Sequence, residues 1–154
     1  MNLKPLQERA DLDPGKRTQG KVRNFRELLG ALEKRELPEA VTEALNLKIE
    51  ALNAFEGTEK QYRKAVVNTE YKILKFLEKE HKIVPRNYYQ KTWLALGMAV
   101  FGIPLGVAMG AALGNMGFIG IGIGMGLPIG MAIGAGMDKK ARDQGRQLDF
   151  EAHI

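Results

Sequence analysis

Two consecutive stretches of this chain place apolar residues three and four positions apart, and a third stretch then abandons alternation for a long unbroken apolar run. Val41, Leu45, Ile49, Leu52 and Phe55 form one stripe, which predicts an amphipathic helix. Pro38 suits its first turn, where a missing N–H costs nothing, and Gly57 ends it. Thr58 followed by Gln61 is a capping-box pattern, so a further helix is expected there, with Tyr62, Val66, Thr69, Ile73, Phe76 and Leu77 on its apolar face. Upstream, Asn24 is the candidate N-cap of a shorter helix from Phe25 to about Leu37. Two amphipathic helices joined at Gly57 make an antiparallel hairpin. A core this small is expected to draw support from a membrane element or a neighbouring subunit.

The apolar run covers residues 92–137, 46 residues without one charged side chain. A bilayer core takes about 20 apolar residues per helix, so the run is read as two transmembrane spans. The break falls at Gly114-Asn115-Met116-Gly117, which gives a first span at 92–113, a turn at 114–117 and a second span at 118–137. Thirteen glycines lie in this run, an unfavourable content for a water-exposed helix. Gly102, Gly106, Gly110 and Gly114 repeat every four residues, as do Gly122, Gly126, Gly130 and Gly134. Residues four apart share a helix face, so each row offers a groove along which another backbone can approach. Gly120, Gly124, Ala132 and Gly136 form a second row nearly opposite the first on the second span, which points to a homo-oligomer built on that face. The alternation from Ile119 to Gly126 also fits a strand period, a reading that requires a multi-subunit barrel. Pro104 and Pro128, mid-span, are candidate hinges.

Charge refines this picture. A mean hydropathy of −0.23 averages two different halves. Residues 1–91 hold 19 Lys/Arg against 14 Asp/Glu, and residues 138–154 hold four of each. Both ends of the apolar run are therefore flanked by cations, which by the positive-inside tendency places both termini in the cytoplasm. Tyr88, Tyr89 and Trp93 are expected to anchor the first span at the interface. Lys72, Lys75, Lys79, Lys82, Arg86, Lys91, Lys139 and Lys140 are the basic residues placed to face lipid headgroups. Residues 1–22 carry Pro14-Gly15 and Lys16, Arg17 and Lys21 among few apolar residues, and read as a flexible basic arm. The opening residues, with Asp11, Asp13 and Pro14 close behind, do not read as a cleavable secretory signal. The expected organisation is thus an arm (1–22), a cytoplasmic helical domain (23–91), a transmembrane hairpin (92–137) and a cytoplasmic polar tail (138–154).

Catalytic chemistry has little to build on. The chain has no cysteine and two histidines, His81 and His153, without metal-ligand spacing. No phosphate-binding glycine motif accompanies the glycines. The basic arm lacks the aromatic interleaving of a nucleic-acid reader. The expectation is a non-enzyme without cofactor or metal, whose partners are membrane lipid, further copies of itself and a protein partner for the helices of 23–91. The spans lack the ionisable group that coupled ion transport needs at depth, which separates the chain from the glycine-rich rotor subunit of ATP synthases.

Gly102 to Leu148, with its repeated glycines, Gly114-Asn115 and the exit Gly136-Met-Asp-Lys-Lys-Ala-Arg-Asp-Gln-Gly-Arg-Gln-Leu, resembles small bacterial glycine-zipper membrane proteins. The resemblance covers about a third of the chain and implies close helix packing and a bacterial inner-membrane location, with no activity attached. The combined expectation is an all-α, multi-pass protein, a cytoplasmic helical hairpin followed by a transmembrane hairpin with glycine-zipper packing. Its work would be as a scaffold or recruitment platform, with a pore-forming or membrane-permeabilising assembly as the alternative.

Overall fold

The computed structural model describes residues 2–9 and 17–152. Among them lie five helices and no strand: α1 (Arg17–Glu33), α2 (Glu39–Asn53), α3 (Glu59–His81), α4 (Tyr88–Leu113) and α5 (Phe118–Asp143). The chain divides into two units, Met1–Val84 with Leu148–Ile154, and Pro85–Gln147.

In the first unit α3 packs on both α1 and α2. Its start follows from Thr58, whose side chain accepts from the Gln61 N–H while the Gln61 side chain takes the Thr58 N–H. Its end is a left-handed cap, with Lys82 at φ 55° and its N–H bonded to Glu78 O at 3.1 Å, while Ile83 N–H reaches Leu77 O at 3.1 Å. Leu45, Ile49, Tyr62, Val66, Ile73 and Leu77 of the expected stripes are buried. The polar groups that enter this interior are paired. Asn24 Nδ2 donates to Glu70 Oε1 at 3.1 Å, and Thr18 Oγ1 donates to Glu59 Oε1 at 2.7 Å.

The first helix differs from the sequence expectation at both ends. It starts at Arg17, not Phe25, and stops at Glu33, not near Leu37. Asn24 is not its N-cap but an interior residue, buried and turned toward α3. The reason is a stripe that begins earlier than expected: Thr18, Val22, Phe25, Leu28 and Leu32 all reach the core. The missed part was the weakly apolar start, where Thr18 serves as a core position.

Residues 2–9 do not behave as a free arm either. Leu3 and Leu6 are buried in the core, and the backbone between them is held by two asparagines seven residues apart on α2. Asn46 accepts from Lys4 N–H at 2.7 Å and donates to Asn2 O at 3.3 Å. Asn53 repeats the pattern, accepting from Gln7 N–H at 3.0 Å and donating to Pro5 O at 3.1 Å. A Lys4–Glu50 ion pair and Arg9 stacked 4.7 Å from the centre of the Tyr62 ring complete the strap. Pro14-Gly15, Lys16, Asp11, Asp13 and His153 lie outside the described residues. The expected polar tail is also structured: α5 runs on to Asp143, and Leu148, Phe150 and Ala152 are buried in the core of the first unit. There Leu148 N–H donates to Val84 O at 2.8 Å.

Replacing Asn46 and Asn53 together by Ala is expected to release residues 2–9. Amide hydrogen exchange at Lys4 and Gln7 should accelerate by about tenfold or more while α3 keeps its protection, since each lost hydrogen bond is worth about 1 kcal/mol.

Candidate membrane hairpin

The second unit is α4 and α5 joined by a four-residue turn at 114–117. Both helices are 26 residues long, and by length and composition both are apolar enough to cross a membrane. Their arrangement inverts that of a water-soluble pair. In α5 the buried positions are Gly122, Gly126, Gly130, Gly134, Asp138 and Ala141. In α4 they are Gly97, Gly102, Gly106 and Gly110. The large apolar side chains point away: Val100, Ile121 and Met125 expose 54%, 51% and 49% of their surface. Thirteen of the fifteen large exposed hydrophobics among the described residues belong to this unit, a concentration of apolar surface that water disfavours.

Gly110 lies against Met116 of the turn, and what the other buried glycines touch is backbone. A Cβ at Gly106 would sit 2.5 Å from the Ile119 Cα, and one at Gly126 would sit 2.5 Å from the Gly97 carbonyl oxygen. At Gly134 it would sit 2.5 Å from the Gln90 Cα, and at Gly97 2.7 Å from the Gly130 Cα. Gly122 and Gly130 are tighter still, against Gly106 and the Trp93 carbonyl. None of these backbone neighbours is a flexible side-chain end, so no methyl group fits.

Gly97 was not part of the expected row, because it precedes Gly102 by five residues rather than four. The backbone absorbs the difference with a π-helical turn over Gly97–Gly102, in which the Ile103 N–H bonds to Met98 O. One extra residue in the turn keeps Gly97 and Gly102 on the same face. Pro104 follows immediately, in the first turn of the α-helical segment that resumes. Pro128 lies inside α5. Both prolines are exposed and lie off the packed face.

The turn is set by Gly114 and Asn115. Gly114 adopts φ 66°, a left-handed cap, and no neighbour lies near its missing Cβ. Its place is therefore at the end of the row and not in the helix contact. Asn115 N–H bonds to Gly110 O at 3.0 Å, and Asn115 Oδ1 accepts from Gly117 N–H at 2.8 Å. Gly120, Gly124 and Gly136 meet nothing within 4 Å. The second small-residue row thus stays open on the outside of the unit.

At the other end of the hairpin stands Asp138, the first residue of the expected polar tail. Asp138 is buried, and its carboxylate accepts from Tyr89 N–H at 3.1 Å and Gln90 N–H at 2.8 Å. Asn87, the residue before α4, offers no side-chain cap, so a carboxylate from α5 satisfies these N–H groups instead. The signal was present: Asp138 is the next step of four after Gly122, Gly126, Gly130 and Gly134. Tyr88 and Tyr89 contact each other edge to face, 5.2 Å between ring centres, and with Trp93 they are half-buried in the first turns of α4. Arg86, Lys91, Lys139 and Lys140 are exposed at this same end, and Lys72, Lys75, Lys79 and Lys82 are exposed in the first unit.

Comparison with protein-family models, curated proteins and solved structures finds no match for this chain. Function is read from the hairpin itself.

Gly122→Leu is expected to drive α4 and α5 apart, lengthening the spin-label distance between positions 105 and 121 by several ångströms. Gly124→Leu, on the open row, should leave that distance unchanged. Asp138→Ala should leave the hairpin formed but less stable by about 1–2 kcal/mol, the scale of a lost helix cap. The effect is measurable as faster hydrogen exchange at Tyr89 and Gln90.

Proposed function

We propose that this chain is an integral membrane protein that crosses a bacterial inner membrane twice, through α4 and α5, with both termini in the cytoplasm. The observation that carries the reading is the inverted hairpin, with glycine inside and Ile, Leu, Val and Met outside. Lipid accepts such a surface and water does not. The orientation is supported by the cations that flank both helices, Arg86 and Lys91 on one side and Lys139, Lys140, Arg142 and Arg146 on the other.

In this reading the inner rows act as a glycine zipper within one subunit, in keeping with the resemblance of Gly102 to Leu148 to glycine-zipper proteins. The open row of Gly120, Gly124, Ala132 and Gly136 then serves self-association. A second copy can lay its own backbone there as closely as α4 lies on the opposite face, and copies related this way can close into a ring. The oligomer would display several copies of the helical first unit and act as a scaffold or recruitment platform without enzymatic activity. Charged groups are lacking along both spans, so an assembly lined by these helices would be apolar and would gate by dewetting if it conducted at all.

The test is the double replacement Gly120→Leu with Gly124→Leu in the reconstituted full chain. The oligomer should fall to monomers while the hairpin persists. Unchanged assembly would remove the self-association. Dye release from vesicles carrying the wild-type protein would replace the scaffold with a pore.

A further inference from the structure

The open end of the hairpin holds a cleft of about 450 Å3 that the packing of α4 on α5 does not use. One wall is the segment leading into α4 and its first turn, with Arg86, Asn87 and Gln90, and the other is the last turns of α5, with Lys139 and Arg142; Gln147 also lines it. Three cations and three amide side chains therefore converge on one space, of a size that suits a small ligand. The one carboxylate in the lining, Asp138, has both oxygens turned to the N–H groups of Tyr89 and Gln90. Its oxygens are thereby occupied at the helix terminus, and against its single negative charge the lining sets the three cations of Arg86, Lys139 and Arg142.

We propose that this cleft binds the phosphodiester headgroup of an anionic glycerophospholipid. The inference rests on the membrane reading above and adds a ligand and a site to it. Guanidinium groups at 86 and 142 match phosphate oxygens with paired N–H donors, Lys139 adds a point charge, and the amides satisfy headgroup hydroxyls. Basic pockets between membrane helices are suited to anionic headgroups.

Two features favour a lipid over free phosphate. Ala135 lies in the cleft, and one turn further into the apolar block on the same face of α5 is Met131, exposed and uncharged, so an acyl chain can run down the helix from a bound headgroup. Tyr88, Tyr89 and Trp93 occupy the first turns of α4 next to the cleft, where interfacial rings sit at headgroup level.

The experiment uses the full chain in nanodiscs of phosphatidylcholine containing a minor fraction of phosphatidylglycerol, and counts lipids that remain bound on extraction, by native mass spectrometry. Wild type should retain phosphatidylglycerol well above its mole fraction. The triple variant Arg86→Gln, Lys139→Gln, Arg142→Gln should lose that enrichment, at about fivefold per cation removed. A control with the same charge change on α3, Lys72→Gln, Lys75→Gln, Lys79→Gln, should keep it. All three cleft positions are exposed, so the variant should fold, and helical circular dichroism checks this. Equal loss in the control would reduce the site to general surface attraction and overturn it. Displacement of phosphatidylglycerol by millimolar inorganic phosphate would make it a soluble-anion site and overturn the lipid assignment. Insertion into the nanodisc without enrichment would sink this inference alone, whereas failure to insert would sink the membrane reading with it.

Discussion

The contact of one helix backbone directly on another is the constraint from which the second unit follows. From Gly97 to Gly106 on α4 and from Gly122 to Gly134 on α5, each glycine of the contact lies against backbone atoms of the other helix, with no side chain between them. In lipid there is no hydrophobic gain from helix association, so van der Waals contact and weak Cα–H···O interactions must supply it, and both fall off steeply with distance. Small residues are therefore required at every fourth position. Because glycine fills the inside, the bulky apolar residues have only the outside left to occupy. The π-helical turn at Gly97–Gly102 extends this contact by one more glycine, and the left-handed Gly114 lets the chain reverse without pulling the helices apart.

Asp138 shows how the same register reaches the polar end. It occupies the position where a fifth glycine of the α5 row would fall, and its carboxylate meets the N–H groups at the start of α4. The row thus passes from backbone contact to charge-assisted hydrogen bonding without changing face. A helix must satisfy its first N–H groups, and here the partner helix does so. The first unit obeys the opposite rule, with Phe25, Leu28, Leu45, Ile49, Tyr62 and Ile73 buried in side-chain packing and with its few buried polar groups hydrogen-bonded.

Much of the helical pattern was legible from residue spacing. The stripes of α2 and α3, the capping box at Thr58 and Gln61, and the break between two long apolar helices are local signals, and local signals survive in a single sequence. The missed features depend on partners distant in the chain. Residues 2–9 have a plain polar composition, and only the amides of Asn46 and Asn53 on α2 show why they are ordered. Thr18 and Asn24 looked like surface or cap residues because their partners, Glu59 and Glu70, lie more than forty positions away. Gly97 was hidden by a spacing of five that only a π turn can reconcile with the row. For the glycines, spacing identified two rows but could not tell which one α4 would cover; the geometry assigns Gly122, Gly126, Gly130 and Gly134 to that contact and leaves Gly120, Gly124 and Gly136 open.

The central claim is that the outward apolar surface of the hairpin meets lipid. It is tested most directly by single spin labels at Ile103 and Ile129, mid-helix on α4 and α5, in the protein reconstituted into bilayers. Collision with dissolved oxygen should be frequent and collision with a water-soluble nickel chelate negligible at both positions, while a label at Asn115 responds to the chelate. Strong chelate contact at Ile103 and Ile129 would contradict the account.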